Sequence, residues 1–486
     1  MTAFSELLKE LHVRGPLRSE GLSIPLGAAW LASDSHGIDI VAAGYVEEEY
    51  LISGAADVWT WDSDLRAVTL GLEPYTTRIV LRRPEDPGKF SGVVQLEPNH
   101  PDDDRALTWG ALAPWILRSG HAHVGVTQDP GAICDLQKWD PERYGGLSIP
   151  DPTQRWDILG QVAALIHFGL DEALKDLSVK RIIGSGWSMT GTFWRTFLGE
   201  GFHERCRLAD FNAIDGYVIC ISSGGAGRAG YGKLREDITL PPDDSRRTIG
   251  KHGIPIIELL SEAESETHHC VLREDEDGPE DYYRLYEVAG TSHIATGAPG
   301  ILTNRRQFTD RGWPPVPREI VEARSTARMD FVARAVFEAL DHWIEDGLVP
   351  PHAGRFSYLT KESPAIRGIM EESLPLARDS DGNVLGGIRT PWVDIPTATY
   401  VPHSSPSPGR CLPAAHAPYT DPKMLADLIG HMVPFTREQL AQRYPSREAY
   451  LLRFYKRAKE LAEEHWLLDE EAAELCSTER NRVEIW

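Results

Sequence analysis

Residues Val179–Phe197 read VKRIIGSGWSMTGTFWRTF. The apolar run from Arg181 to Gly184 predicts a buried strand, and Thr190 to Leu198 predicts a helix, so a sharp strand-to-helix turn falls on Ser188. Such a turn lifts the serine hydroxyl above a sheet and directs the next backbone N–H, that of Met189, toward the same place. Small neighbours are needed where backbone approaches backbone, and Gly186 and Gly191 flank the serine. The usual spacing is G-x-S-x-G, whereas here Thr190 stands at the second small position and Gly191 follows it.

Working outward, apolar strands alternate with helical runs. GVVQLEPNH ends at His100, a helix is expected from Leu107 to Ser119, and HAHVGVTQD supplies the next strand. A helix from Trp156 to Phe168 precedes the serine segment. Strands at Gly216–Ile221, Ile254–Leu260 and Tyr283–Val288 follow it, and a long amphipathic helix runs from Ala327 to about Ile344. This alternation predicts the α/β class, with a mostly parallel wound sheet flanked by helices. IDIVAAGYVEEEYLISG and TTRIVLRRP add N-terminal strands.

Three regions are expected: N-terminal strands and lead-in at 1–90, a core at 91–345, and a C-terminal extension at 346–486 packed on the core or covering the site. The stretches 129–153 and 222–250, rich in Gly, Pro and charge, read as irregular cap-like insertions. Helices are expected at Thr436–Tyr444 and Ser446–Glu464, the latter with an apolar face of Leu452, Tyr455, Ala458 and Leu461.

A serine hydroxyl needs a base. His293, in YEVAGTSHIATG, ends a predicted strand in a small-residue loop and is the candidate, whereas His268 and His269 follow a charge-rich turn. A carboxylate holds an imidazole in its useful tautomer, and IPIIELLSEAESE offers Glu264, with Glu262 as the alternative. The chain order Ser188, acid, His293 fits a wound α/β enzyme. Oxyanion donors are expected at Met189 and in the loop at Asn99, where His100 is also a candidate substrate-binding residue. Trp187, Trp139 and Tyr144 lie near these elements in sequence and suit an apolar or aromatic moiety.

With 486 residues, 50 Lys and Arg against 73 Asp and Glu give a net charge of −23, which argues against nucleic-acid binding. Hydrophobic residues at 41% provide for a large core. Six scattered cysteines form no metal-ligand motif and suggest reduced thiols. MTAFSELLKELHVRG carries charges without an apolar secretion segment behind it, and no stretch approaches the ~20 apolar residues of a membrane span. A cytoplasmic, soluble protein is expected.

The chain resembles the serine α/β-hydrolase superfamily, specifically the group known simply as alpha/beta hydrolase domain proteins. The resemblance rests on GYVEEEY at Gly44–Tyr50, YTTR at Tyr75–Arg78, DPERYG at Asp140–Gly145 and the serine turn, commonly G-x-S-x-S-G in the group. It continues through SEAE at Ser261–Glu264, VAGTSH ending at His293, GGIRTPWVDIPTATY at Gly386–Tyr400, and Pro434, Phe435, Tyr444 and Tyr450. The group's acid is usually the Asp of an S-E-T-D segment, a position that Glu264 fills here. The resemblance implies the α/β-hydrolase fold and cleavage of a small-molecule ester or lactone, with no metal or organic cofactor. Acyl transfer or peptide cleavage by the same triad, and a non-catalytic binding or scaffold role, are the competing expectations. Oligomeric state is not legible.

Overall fold

VVQLEP, AHVGV, RIIGSGW and GYVIC are buried at every position, and each forms a strand. Burial on both faces is why they read as near-continuous apolar runs and not as alternating ones. The computed structural model describes residues 4–29, 38–101, 104–171, 177–225, 233–235, 237–241, 244–294, 312, 317–359, 374–412 and 421–482. The chain divides into two compact units, Met1–Ile219 with Tyr231–Pro255 and Pro299–Pro315, and Cys220–Gly230 with Ile256–Ala298 and Val316–Trp486.

The first unit carries β1 (His12–Arg14), β2 (Tyr45–Trp61), β3 (Ala67–Pro84), β4 (Val93–Pro98), β5 (Ala122–Val126), β6 (Arg181–Trp187) and β7 (Gly216–Cys220), in the order β1-β2-β3-β5-β4-β6-β7. β4 runs parallel to both β5 and β6. β2 and β3 form a long antiparallel hairpin, and β3 joins β5 antiparallel. Helices Leu107–Ser119, Arg155–His167 and Met189–Gly199 connect the strands. The result is the expected mostly parallel sheet flanked by helices, with N-terminal strands on one side.

The helix Leu107–Ser119 begins after Ala106, which offers no capping side chain. Glu97 at the end of β4 supplies the cap instead, accepting from the N–H groups of Thr108 at 2.7 Å and Trp109 at 3.2 Å. A second buried network ties the hairpin to the loop after β4. Arg78 on β3 donates to Glu49 at 2.6 Å, to Asp104 at 3.0 Å and to the Tyr144 hydroxyl at 2.8 Å.

The stretch 129–153, expected to be irregular, is largely helical: Pro130–Trp139, Pro141–Tyr144 and the short turn Pro152–Gln154. Asp129, Asp140 and Asp151 cap these pieces, each followed by a proline at the first helical position. The turn-rich composition therefore marks helix starts. Within 222–250, residues 226–232, 236, 242 and 243 lie outside the described residues, and Ser245–Arg247 is a single 3₁₀ turn.

The second unit carries β8 (Pro255–Ser261), β9 (Glu276–Gly278) and β10 (Asp281–Val288), in the order β8-β10-β9. It adds the pair β11 (Arg318–Ile320) with β14 (Pro406–Cys411), and the trio β12 (Ala323–Arg324), β15 (His431–Pro434) and β13 (Ala398–Val401). The helical extension ends in Arg437–Arg443, Arg447–Glu463 and Asp469–Asn481, the last of which the sequence did not suggest. In Arg447–Glu463 the buried face is Tyr450, Phe454, Ala458 and Leu461, whereas Leu452 is 69% exposed. The inward-facing Tyr450 hydroxyl donates to Glu479 at 2.6 Å, and Glu479 also accepts from Trp392 at 3.1 Å. Arg334, on the helix Asp330–Asp346, pairs with Glu471 at 3.1 Å and anchors the last helix. No helix among the described residues is long and apolar enough to cross a membrane.

Candidate active site

In the first unit, β6 ends at Trp187 and a helix starts at Met189, leaving Ser188 alone at the corner with φ 59° and ψ −121°. A side-chain-bearing residue holds such a conformation at a cost of about 1–3 kcal/mol, which neighbouring contacts must offset. Thr190 provides two of them: its hydroxyl accepts from the Trp187 N–H at 2.7 Å and donates to the Trp187 carbonyl at 2.8 Å. Thr190 thus fills the small position of the motif with a side chain folded back on the turn, a role the sequence alone did not disclose. Trp194 Nε1–H bonds to the Ser185 carbonyl at 2.8 Å and fastens the helix to its strand. A Cβ on Gly184 would lie 2.6 Å from the Tyr217 ring, so the strand requires glycine there.

The helix start leaves the Met189 N–H without an intrahelical acceptor, as an oxyanion donor requires. The loop after β4 behaves differently. The Asn99 N–H goes to the Val126 carbonyl and the His100 N–H to the Arg105 carbonyl, both at 2.7 Å. The Asn99 side-chain amide donates to Asp104 at 3.2 Å. Asn99 therefore has its main-chain donor engaged by the end of β5, and His100 is buried beside it. Asp104 itself adopts φ 50°, held through one carboxylate oxygen by Arg78, Asn99 and Thr127. Burial pushes its pKa up, while Arg78 and Thr127 pull it down.

The three aromatic candidates are all buried. Trp187 adjoins the serine, and its indole N–H has no hydrogen-bond partner among the described residues. Trp139 closes the helix Pro130–Trp139. Tyr144 is not open to a substrate: its hydroxyl donates to Glu49 at 2.7 Å and accepts from Arg78 and from the Leu26 N–H at 3.2 Å.

In the second unit, β8 runs into the helix Glu262–His268, and β10 runs into the loop 289–294. His293 Nδ1 lies 2.6 Å from Glu264 Oε1. A carboxylate can only accept, so Nδ1 carries the proton and the neutral ring presents Nε2 as the basic nitrogen. Ser261, the N-cap of that helix, donates to the other Glu264 oxygen. Glu262 is turned elsewhere: it accepts from the Gly290 N–H at 2.6 Å and pairs with Arg378 at 3.1 Å. Burial raises its pKa against the pull of Arg378 and Gly290.

His268 is buried, and its Nδ1 accepts from the Gly224 N–H at 3.2 Å. That bond supports the turn after β7, where Ile221 takes φ 41°. Ser188 occupies a strained position after β6, and strand ends of this kind carry sites in α/β proteins. Among the described residues, no group of three or more His, Cys, Asp and Glu side chains is arranged to hold a metal ion.

Solved structures similar to the chain include esterase Est22, with 14% identity over 53% of this chain and 77% of that one, at a TM-score of 0.32. A fungal esterase from Rhizomucor miehei shares 13% identity over 64% and 92%, at a TM-score of 0.31. A thermostable esterase from Pseudomonas putida ECU1011 shares 13% over 50% and 74%, at a TM-score of 0.28. Similarities of this size carry nothing about substrate. No curated protein matches the chain. A family model described as alpha/beta hydrolase domain matches residues 13–477, nearly the whole length, and the chain belongs to that family.

Proposed function

We propose that the protein is a serine hydrolase that cleaves a carboxylic ester or lactone through an acyl-enzyme intermediate. The observation that carries this reading is the strained Ser188 at a strand-to-helix corner, in a chain that also holds a histidine oriented by a carboxylate. In the proposed mechanism His293 Nε2 takes the Ser188 proton as Oγ attacks the carbonyl carbon. The Met189 N–H stabilises the oxyanion, and Glu264 stabilises the imidazolium. Collapse of the tetrahedral intermediate breaks the bond to the leaving oxygen, which receives the proton from His293. Water then attacks the acyl carbon with His293 again as base, and release of the acid restores Ser188.

Trp187, buried beside the serine, favours a medium-sized apolar or aromatic substrate. The test is fluorophosphonate labelling followed by intact mass, combined with a panel of esters and lactones. A single adduct that is lost in Ser188→Ala, together with ester turnover lost in the same variant, supports the reading. Turnover that survives Ser188→Ala rejects it. Ligand binding without any adduct would favour a non-catalytic role, and product formed preferentially with an added alcohol would favour acyl transfer.

A further inference from the structure

The loop 289–294, which carries His293, has few bonds of its own. Thr291 Oγ1 donates to the Val288 carbonyl, and Ser292 Oγ donates to the Ile294 carbonyl. Part of its remaining support comes from the helix Glu262–His268, whose Glu262 N–H bonds to the Thr291 carbonyl, and part from residues beyond 374. Arg378 pairs with Glu262, and the other Glu262 oxygen receives the Gly290 N–H. Gly290 has φ 76°, and a Cβ there would lie 2.5 Å from Val393 and 3.6 Å from Tyr400. The Ile294 N–H bonds to the Leu428 carbonyl at 2.7 Å, and Ile294 bridges to Ile429 in parallel fashion. Gly430 packs on Ser292 so closely that a Cβ would come within 2.6 Å of its Oγ.

The same region grips the helix bearing Glu264. The Leu374 N–H bonds to the Glu266 carbonyl at 2.8 Å, and His403 Nε2 lies 3.1 Å from the Glu266 carboxylate. A general base works only when its nitrogen is held to within a fraction of an ångström, which a free loop does not do. From these contacts we infer that the C-terminal extension is a positioning element for His293, with Arg378 as its principal link, acting through Glu262 and the Gly290 N–H. The inference rests on His293 being the general base. Arg378 touches no reacting atom in this scheme; it is a positioning residue.

Arg378→Met and Arg378→Lys, made in the full chain, test the idea. Arg378→Met is expected to lower kcat by about 10- to 100-fold with KM nearly unchanged, and Arg378→Lys to recover most of the loss. The His293 Nδ1 proton, bonded to Glu264 at 2.6 Å, should give a downfield NMR signal. That signal is assigned by its disappearance in Glu264→Gln, and it should move or broaden in Arg378→Met and return in Arg378→Lys. If Arg378→Met does not fold, Gly430→Ala carries the same test, because its added methyl presses on Ser292 beside the histidine.

Wild-type kcat and an unmoved signal in Arg378→Met, or in Gly430→Ala where that variant stands in, would overturn the inference. So would a loss of activity that Arg378→Lys does not recover while the signal stays in place. If the wild-type protein neither labels nor hydrolyses esters, the hydrolase reading fails. The NMR signal, which needs no turnover, then still decides whether the extension positions the ring.

Discussion

His293 Nδ1 meets Glu264 Oε1 at 2.6 Å, while Glu262, two residues earlier on the same helix, faces Gly290 and Arg378. The two carboxylates stand two residues apart on one helix and differ in what they hold. Glu264→Gln puts an amide where Nδ1 needs an acceptor, so kcat should fall by about 10²- to 10⁴-fold with the thermal midpoint near wild type. Glu262→Gln keeps a carbonyl for the Gly290 N–H but loses the ion pair with Arg378, so kcat should fall about 10- to 100-fold, as in Arg378→Met. Steady-state kinetics on a responsive ester, with melting curves for both variants, decides. A larger loss in Glu262→Gln would transfer the acid role to that residue.

Thr190 tests the serine turn without touching the nucleophile. Thr190→Val keeps the shape and removes the hydroxyl that bonds both the N–H and the carbonyl of Trp187. A buried N–H left unsatisfied costs about 1–3 kcal/mol, so the urea midpoint should drop and kcat should fall with it. Thr190→Ser restores the hydroxyl and should recover both. Equal stability of Thr190→Val and wild type would show that the bonds do not hold the turn.

The strand-turn-helix around Ser188 was legible because its evidence is local: an apolar run, glycines at close approaches and a helical period all lie within twenty residues. The strand end and loop that carry His293 were legible for the same reason. Long-range polar pairing was not. Nothing in GYVEEEY or YTTR says that Glu49 meets Arg78, or that Arg78 also reaches Asp104 and Tyr144, because each motif is separately compatible with a solvated strand. Tyr144 therefore read as a site aromatic when it is a buried strut. On Arg447–Glu463, Ala458 and Leu461 are buried as expected, whereas Leu452 is exposed and Tyr450 and Phe454 complete the buried face. Tyr450 bonds there to Glu479, which lies on a helix not suggested by the sequence. Asn99 was placed by its position after β4, but sequence cannot tell that its N–H is already bonded to Val126.

Arg78 gives that hidden network a measurable weight. It is fully buried, as are Glu49 and Asp104, so Arg78→Met leaves Asp104 in the interior without its cation, while Glu49 keeps Arg143 at 2.5 Å. Removing one partner of a buried pair costs about 3–5 kcal/mol, and the denaturation midpoint should fall accordingly. Arg78→Lys should recover little, since a single ammonium cannot serve Glu49, Asp104, Tyr144 and the Leu26 carbonyl together. A midpoint near wild type in either variant would mean that solvent or rearrangement compensates the lost guanidinium.

His403 links the extension to the acid-bearing helix in a pH-dependent way. Its Nδ1 lies 2.8 Å from the Asp427 carbonyl and its Nε2 3.1 Å from the Glu266 carboxylate. Both partners are acceptors, so satisfying both requires a proton on each nitrogen, and the ring is held as imidazolium. Burial disfavours that charge, but Glu266 and the Asp427 carbonyl outweigh burial and raise the pKa above the ordinary histidine value. A folded pKa above the unfolded one means that the native state binds the extra proton more tightly. The stabilisation is therefore complete below about pH 6.5, the unfolded value, and is lost as pH rises through the higher folded pKa. Urea midpoints of wild type and His403→Gln, compared from pH 5.5 to 9, should differ most at the acid end and converge at the alkaline end. A gap that widens with rising pH would mean that His403 is held neutral, with one of its two acceptors facing a bare nitrogen.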